Sequence, residues 1–209
     1  MTPNNNPNSP TSSISKEALA ELPVKEFAGH PVTVINLEQA EIAVRQIREA
    51  QTLVGFDTET RPSFQKGVSY RVCLVQLSVG QVCYLFRLNK IQSLPDCLRQ
   101  LLEDPAVVKV GLSTQDDFKN LRKWCELEPR GFIELQQLVK SYGITDMSLA
   151  KIYALLFNQK LSKRQRLTNW EADQLNAKQL AYASLDAIAC VEIYEALMMR
   201  GKQIIRQGL

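Results

Sequence analysis

The sequence predicts an α/β fold, a mixed β-sheet flanked by helices, and three observations predict it. Three β-rich runs lie early in the chain, the second and third separated by the turn-forming pair Gly80-Gln81. Strand-like and helical patterns then alternate. The remaining chain carries helical periodicity with almost no strand signal. Hairpin-joined strands followed by strand–helix alternation require a sheet with both antiparallel and parallel neighbours, and helices to cover it.

The chain has 209 residues, 45% of them hydrophobic, enough for one α/β domain with a sizeable core. Residues Met1 to Ser15 are mostly Asn, Pro, Ser and Thr. Such a stretch cannot offset the entropy of ordering, so a disordered tail is expected over 1–15 and a single domain over 16–209. Val32–Ile35 reads as a short strand. Leu37 to Ala50 reads as a helix, with Ile42, Val44 and Ile47 among charges. Thr52–Thr58, Arg71–Ser78 and Val82–Phe86 read as strands, the last two joined by a tight hairpin. Ile91–Leu102 is amphipathic and helical. Val107–Val110 is a short buried strand, Asp116–Cys125 a helix, and Phe132–Leu135 a last short strand. Helices are expected over Leu135–Tyr142, Ser148–Phe157 and Asn176–Arg200.

Composition excludes several chemistries. The five cysteines, Cys73, Cys83, Cys97, Cys125 and Cys190, contain no C-x-x-C pair and are odd in number, which argues against a disulfide framework and a cysteine-ligated zinc site. His30 is the only histidine and lies in a turn-like Ala-Gly-His-Pro segment, where a solvated loop residue is expected. A two-histidine zinc motif is therefore impossible. No apolar run spans a bilayer and the N-terminus is not a secretory signal, so a soluble cytoplasmic protein without a membrane partner is expected. The net charge of +3 is a weak pointer to a polyanion. Any catalysis is expected to rest on carboxylates.

Three segments carry such carboxylates. In Val54-Gly-Phe-Asp-Thr-Glu-Thr60, Asp57 and Glu59 sit two apart at a strand end and share a face. They fit either a solvated strand end or a pair bridged by a cation. In Lys109-Val-Gly-Leu-Ser-Thr-Gln-Asp-Asp-Phe118, a buried strand runs through a loop into a helix beginning near Asp116. Asp116 fits a helix cap. Asp117, four residues before the core-facing Leu121, leans inward. In Leu180-Ala-Tyr-Ala-Ser-Leu-Asp-Ala-Ile-Ala-Cys190, Tyr182 and Asp186 share a helical face. Asp186 stands in apolar surroundings, where a carboxylate is costly unless paired or metal-bound, or else it lies on a wet face bonded to Tyr182.

In this order, a strand with D-x-E, a loop–helix Asp and a helical Y-x-x-x-D resemble the DEDD superfamily of 3′–5′ exonucleases. The Tyr182–Asp186 spacing is that of its tyrosine subclass, and the ribonuclease D and Werner-syndrome exonuclease branch is the nearest. Thr60-Arg-Pro-Ser-Phe64, Val72-Cys-Leu-Val-Gln-Leu-Ser78 and Leu167-Thr-Asn-Trp170 add to the match, which covers Val32 to Met199. The resemblance implies a ribonuclease H-like fold. It implies metal binding by Asp57, Glu59, Asp117 and Asp186, with Tyr182 beside them. It further implies two divalent ions, Mg²⁺ or Mn²⁺, acting on the 3′ end of DNA or RNA and releasing nucleoside 5′-monophosphates. All-oxygen ligands suit those ions. One ion would activate a water, and the other would stabilise the departing 3′-oxygen. Tyr182, with an ordinary pKa near 10, suits orienting that water better than deprotonating it.

Two features depart from the family pattern. Asp116 stands beside Asp117 where relatives often carry a small residue, and the trailing helical nucleic-acid-binding domain that larger relatives carry is not expected from these 209 residues. Grip on substrate is then expected from this domain or from a partner. Lys163, Arg164 and Arg166, in the cationic run Lys160–Arg166, fit either phosphate contacts or a solvated loop. Phe64 fits stacking on a terminal base or covering a sheet edge. A catalytically silent nucleic-acid-binding module on the same fold is expected to have lost a carboxylate, and none is lost. For a structural adaptor the acidic set would be an electrostatic cost.

Overall fold

The computed structural model describes residues 12–65, 67–68 and 70–207, the side chains of 202–207 excepted. Six strands form one sheet: β1 (His30–Val34), β2 (Val54–Thr60), β3 (Val72–Val79), β4 (Val82–Arg87), β5 (Lys109–Gly111) and β6 (Phe132–Glu134), in the order β1-β4-β3-β2-β5-β6. The β2–β3 and β3–β4 pairs are antiparallel, and the rest are parallel. Gly80 makes the tight β3–β4 turn at φ +55°. The helices are α1 (Lys16–Glu21), α2 (Leu37–Glu49), α3 (Leu88–Ile91), α4 (Asp96–Glu103), α5 (Thr114–Leu121), α6 (Leu135–Ser141), α7 (Leu149–Phe157) and α8 (Ala177–Gln207). Among the described residues no helix is long and apolar enough to cross a membrane.

Alternation along the strands builds two cores. Phe56, Leu77 and Phe86 join Ile47, Leu98 and Phe118 on the face covered by α2, α4 and α5. Leu74, Leu85, Trp170 and Ala187 pack between the other face and α8, with Tyr153, Ile193 and Leu197 extending that layer to α7. Gly55 lies on the α8 face. A Cβ built there would fall 2.0 Å from the Ala187 carbonyl oxygen, so the α8 backbone rests directly on β2. Asp57 and Glu59 follow on this same face of β2.

The expected elements recur with shifted ends, and four expectations change. The helix expected over Ile91–Leu102 is two helices. Gln92 closes α3 in the left-handed region at φ 63°, and Pro95 occupies the cap before α4, a position that needs no N–H from it. The helix expected from Asp116 starts at Thr114, because its first turn is capped from another element, as described below. His30, expected in a loop, is the first residue of β1 and exposed; its N–H donates to the Gln81 carbonyl. The tail expected over 1–15 lies outside the described residues as far as Thr11. Ser12 to Ser15 are held in place: the Ser12 carbonyl accepts from Thr145 N at 2.7 Å, Ile14 N donates to Asp146 at 2.8 Å, and Ser15 caps α1.

Candidate active site

Asp57 and Glu59 project from one face of β2 toward α8, where Asp186 faces them. One carboxylate oxygen from each of the three lies within 4.8 Å of the others. Asp117 enters from the first turn of α5, and its Oδ1 accepts a hydrogen bond from the Thr58 hydroxyl. All four acids, with Tyr182, line one cavity of about 380 Å³. Asp116 also borders it but is exposed and carries no such bond.

Side chains outside the acidic set fix this geometry. Ser113, before α5, takes the left-handed conformation at φ 61° and caps nothing with its own side chain. Glu134, at the end of β6, caps in its place. Its carboxylate accepts from Ser113 N (3.0 Å), Thr114 N (2.7 Å), Thr114 Oγ1 (2.8 Å) and Gln136 N (2.9 Å). The start of α5, and with it Asp117, is thus tied to β6 and α6. The segment Leu167-Thr-Asn-Trp170 is fastened to α8, where Gln179 Nε2 donates to Thr168 Oγ1 (3.0 Å) and the Asn169 carbonyl (3.3 Å). The fully buried Trp170 ring then backs the Tyr182 ring at 5.9 Å.

Burial dominates the electrostatics. It raises the pKa of Asp57, Glu59, Asp117 and Asp186, and the neighbouring carboxylates push further in the same direction at Glu59, Asp117 and Asp186. Tyr182 opposes the rise at Asp186 through its hydroxyl, and the charge of Lys163 also opposes it. Arg166 opposes the rise at Glu59. The Tyr182 hydroxyl is itself raised, by burial and then by Asp186 and Glu59. The site concentrates carboxylate oxygens that repel one another, an arrangement that a divalent cation relieves.

The cationic residues singled out in the sequence do not act as one group. Lys163 and Arg166 line the acidic cavity, whereas Arg164 lines a second cavity on the other side of Tyr182. Phe64 is 83% exposed and outside the acidic cavity, so it does not cover the sheet edge. Thr58 and Glu134 are the positioning side chains that the sequence reading missed. Thr58 lies inside a motif already read for its acids. Glu134 lies 17 residues beyond Asp117, with no spacing to link the two.

The family model described as 3′–5′ exonuclease matches residues 31–202. The chain belongs to the 3′–5′ exonuclease family. It is 38% identical over 149 residues to the Drosophila melanogaster exonuclease 3′–5′ domain-containing protein 2, covering 69% of this chain and 25% of that protein. It is 28% identical over 193 residues to the mouse bifunctional 3′–5′ exonuclease/ATP-dependent helicase WRN, covering 88% and 14%. The chain therefore spans a quarter or less of the length of these two relatives. The solved Aedes aegypti Nibbler EXO domain superposes with a TM-score of 0.78 at 21% identity, covering 87% of this chain and 94% of that one. That likeness shows the fold, the ribonuclease H-like mixed sheet flanked by helices.

Proposed function

We propose that this chain is a divalent-metal-dependent 3′–5′ exonuclease that shortens DNA or RNA strands from the 3′ end and releases nucleoside 5′-monophosphates. The observation that carries this reading is the convergence of Asp57, Glu59 and Asp186 within 4.8 Å, in a cavity that Asp117 also lines. The donor set is all oxygen, buried and self-repelling, which fits Mg²⁺ or Mn²⁺. Asp57, Glu59, Asp117 and Asp186 would hold two such ions. When bound, these ions supply compensating positive charge and Lewis-acid activation at the phosphodiester.

The chain's own groups do the remaining work. Tyr182 stays protonated, because burial and nearby carboxylates disfavour its anion, and so it orients a water through its hydroxyl rather than deprotonating it. Trp170 restricts its ring. Lys163 and Arg166, at the cavity wall, attract the strand's phosphates. A catalytically silent binding module would also bind nucleic acid, so the test has to read product. Strands of DNA and RNA, 3′-labelled or 5′-labelled, are incubated with Mg²⁺ or Mn²⁺, with and without EDTA, alongside Asp57→Ala. Immediate release of labelled mononucleotide from the 3′-labelled strand is expected, abolished by EDTA and by the substitution. Binding without degradation would return the chain to the silent-module reading.

A further inference from the structure

The connector Lys160–Arg166 crosses a wall. Ser162, Tyr182 and Asp186 border the acidic cavity on one side and a second cavity, of about 270 Å³, on the other. Three segments distant in sequence bring cations to the second cavity: Lys25 before β1, Arg164 from the connector, and Lys178 from the first turn of α8. Its apolar lining is Phe27, Ala181 and Leu185. Asp186 is the only carboxylate among the described residues lining it. Glu192 lies outside the lining and is engaged by Lys25 at 3.4 Å and by the Tyr153 hydroxyl at 2.6 Å. Neither Arg164 nor Lys178 joins an ion pair among the described residues. Lys178 also adds its charge to the positive end of the α8 dipole.

Cations beside apolar side chains suit a phosphate joined to a sugar and base. Strand chemistry decides which phosphate. Beyond the scissile bond the 3′-terminal nucleoside ends in a hydroxyl and offers no further phosphate. The next phosphate along the strand lies on the 5′ side. We propose that the cavity behind Tyr182 is a subsite for the internucleotide phosphate on the 5′ side of the scissile bond, held by Lys25, Arg164 and Lys178. This rests on the exonuclease reading and adds a direction to it: the strand leaves the acidic cavity across Tyr182, with its 5′ portion over Phe27 and Leu185.

Two short substrates test the subsite. A dinucleotide with a 5′-hydroxyl carries only the scissile phosphate, and a 5′-hydroxyl trinucleotide carries one more. The specificity constant kcat/KM is measured for both at two salt concentrations. Wild type favours the trinucleotide. In Arg164→Ala/Lys178→Ala, the trinucleotide-to-dinucleotide ratio falls about fivefold, and the extra salt dependence of the trinucleotide drops by about 0.7 in log–log slope, the share of one single-strand phosphate contact. Arg164→Lys/Lys178→Arg keeps the ratio, because it keeps the charge. Equal losses on both substrates, or no change in the ratio, overturn the subsite and leave the exonuclease reading standing. A wild-type chain that cleaves no strand with either metal overturns the exonuclease reading, and the subsite with it.

Discussion

The Glu134 carboxylate holds Thr114 twice, accepting from its backbone N–H at 2.7 Å and from its hydroxyl at 2.8 Å. This pair sets where α5 begins, and Asp117 lies three residues later. Glu134→Ala should leave the N–H groups of Ser113 and Thr114 without their charged acceptor. We expect a loss of about 1–3 kcal/mol in stability and a fall of roughly 10- to 100-fold in activity, with weakened Mn²⁺ binding. Glu134→Gln should fall between, since its NH₂ would face N–H donors. Urea denaturation and Mn²⁺ titration of the same variants check this; unchanged metal affinity in a destabilised Glu134→Ala would limit the residue to a structural role.

Asp117 and Asp116 are adjacent, but only Asp117 is part-buried and bonded to Thr58. Asp117→Asn should abolish nuclease activity, and Asp116→Asn should retain most of it. Steady-state rates on a labelled oligonucleotide decide the assignment, which the reverse pattern would refute.

Tyr182→Phe keeps the ring against Trp170 and removes only the hydroxyl. The expected result is a lower kcat with metal affinity preserved. Loss of Mn²⁺ binding in calorimetry would mean that the hydroxyl also shapes the carboxylate cluster.

Divalent metal should raise the thermal stability of the chain. Asp57, Glu59, Asp117 and Asp186 converge only when it is folded, so an ion held by them binds the native state selectively. At metal a hundredfold above its Kd, the gain is about 2.7 kcal/mol. The rise in Tm with Mn²⁺ should shrink sharply in Asp57→Ala/Asp186→Ala. An equal rise in both proteins would place the ions elsewhere.

Burial pushes the Cys83 thiol up to about 12, with some opposition from Ser184. In the unfolded chain a thiol ionises near 8.5. Between those values the folded chain keeps a proton that the unfolded chain releases. The contribution of the buried neutral thiol is therefore complete below about pH 8.5 and is lost as pH rises toward 12. From pH 8 to pH 10 wild type should lose about 2 kcal/mol more than Cys83→Ala. Parallel stability curves in urea would show that the thiol is not shielded.

The acids of the site were legible because each stands inside a local pattern: a D-x-E at a strand end, an inward Asp after a buried strand, and an i, i+4 Tyr–Asp pair. The groups that hold them were not. Glu134 acts through bonds to residues 20 and 21 positions earlier, and no periodicity encodes such a contact. The Ile91–Leu102 pattern is truly amphipathic, but periodicity alone does not register a left-handed residue such as Gln92, and Pro95 was the available warning. Short α1, outside the expected elements, buries no residue, so it leaves no apolar stripe to read. The anchoring of Ser12 to Ser15 depends on Thr145 and Asp146, which composition cannot foresee.

Gly55 has no side chain, yet it governs how near the two halves of the acidic cluster come. With the Ala187 carbonyl 2.0 Å from where its Cβ would stand, a single methyl group would act as a wedge between β2 and α8. Asp57, two residues beyond Gly55 on β2, and Asp186, the residue before Ala187 on α8, would then be spread apart with every acid still present. The cluster's spacing is thus a property of backbone contact, and a designer wishing to retune or silence the centre could do so from a position that carries no chemistry.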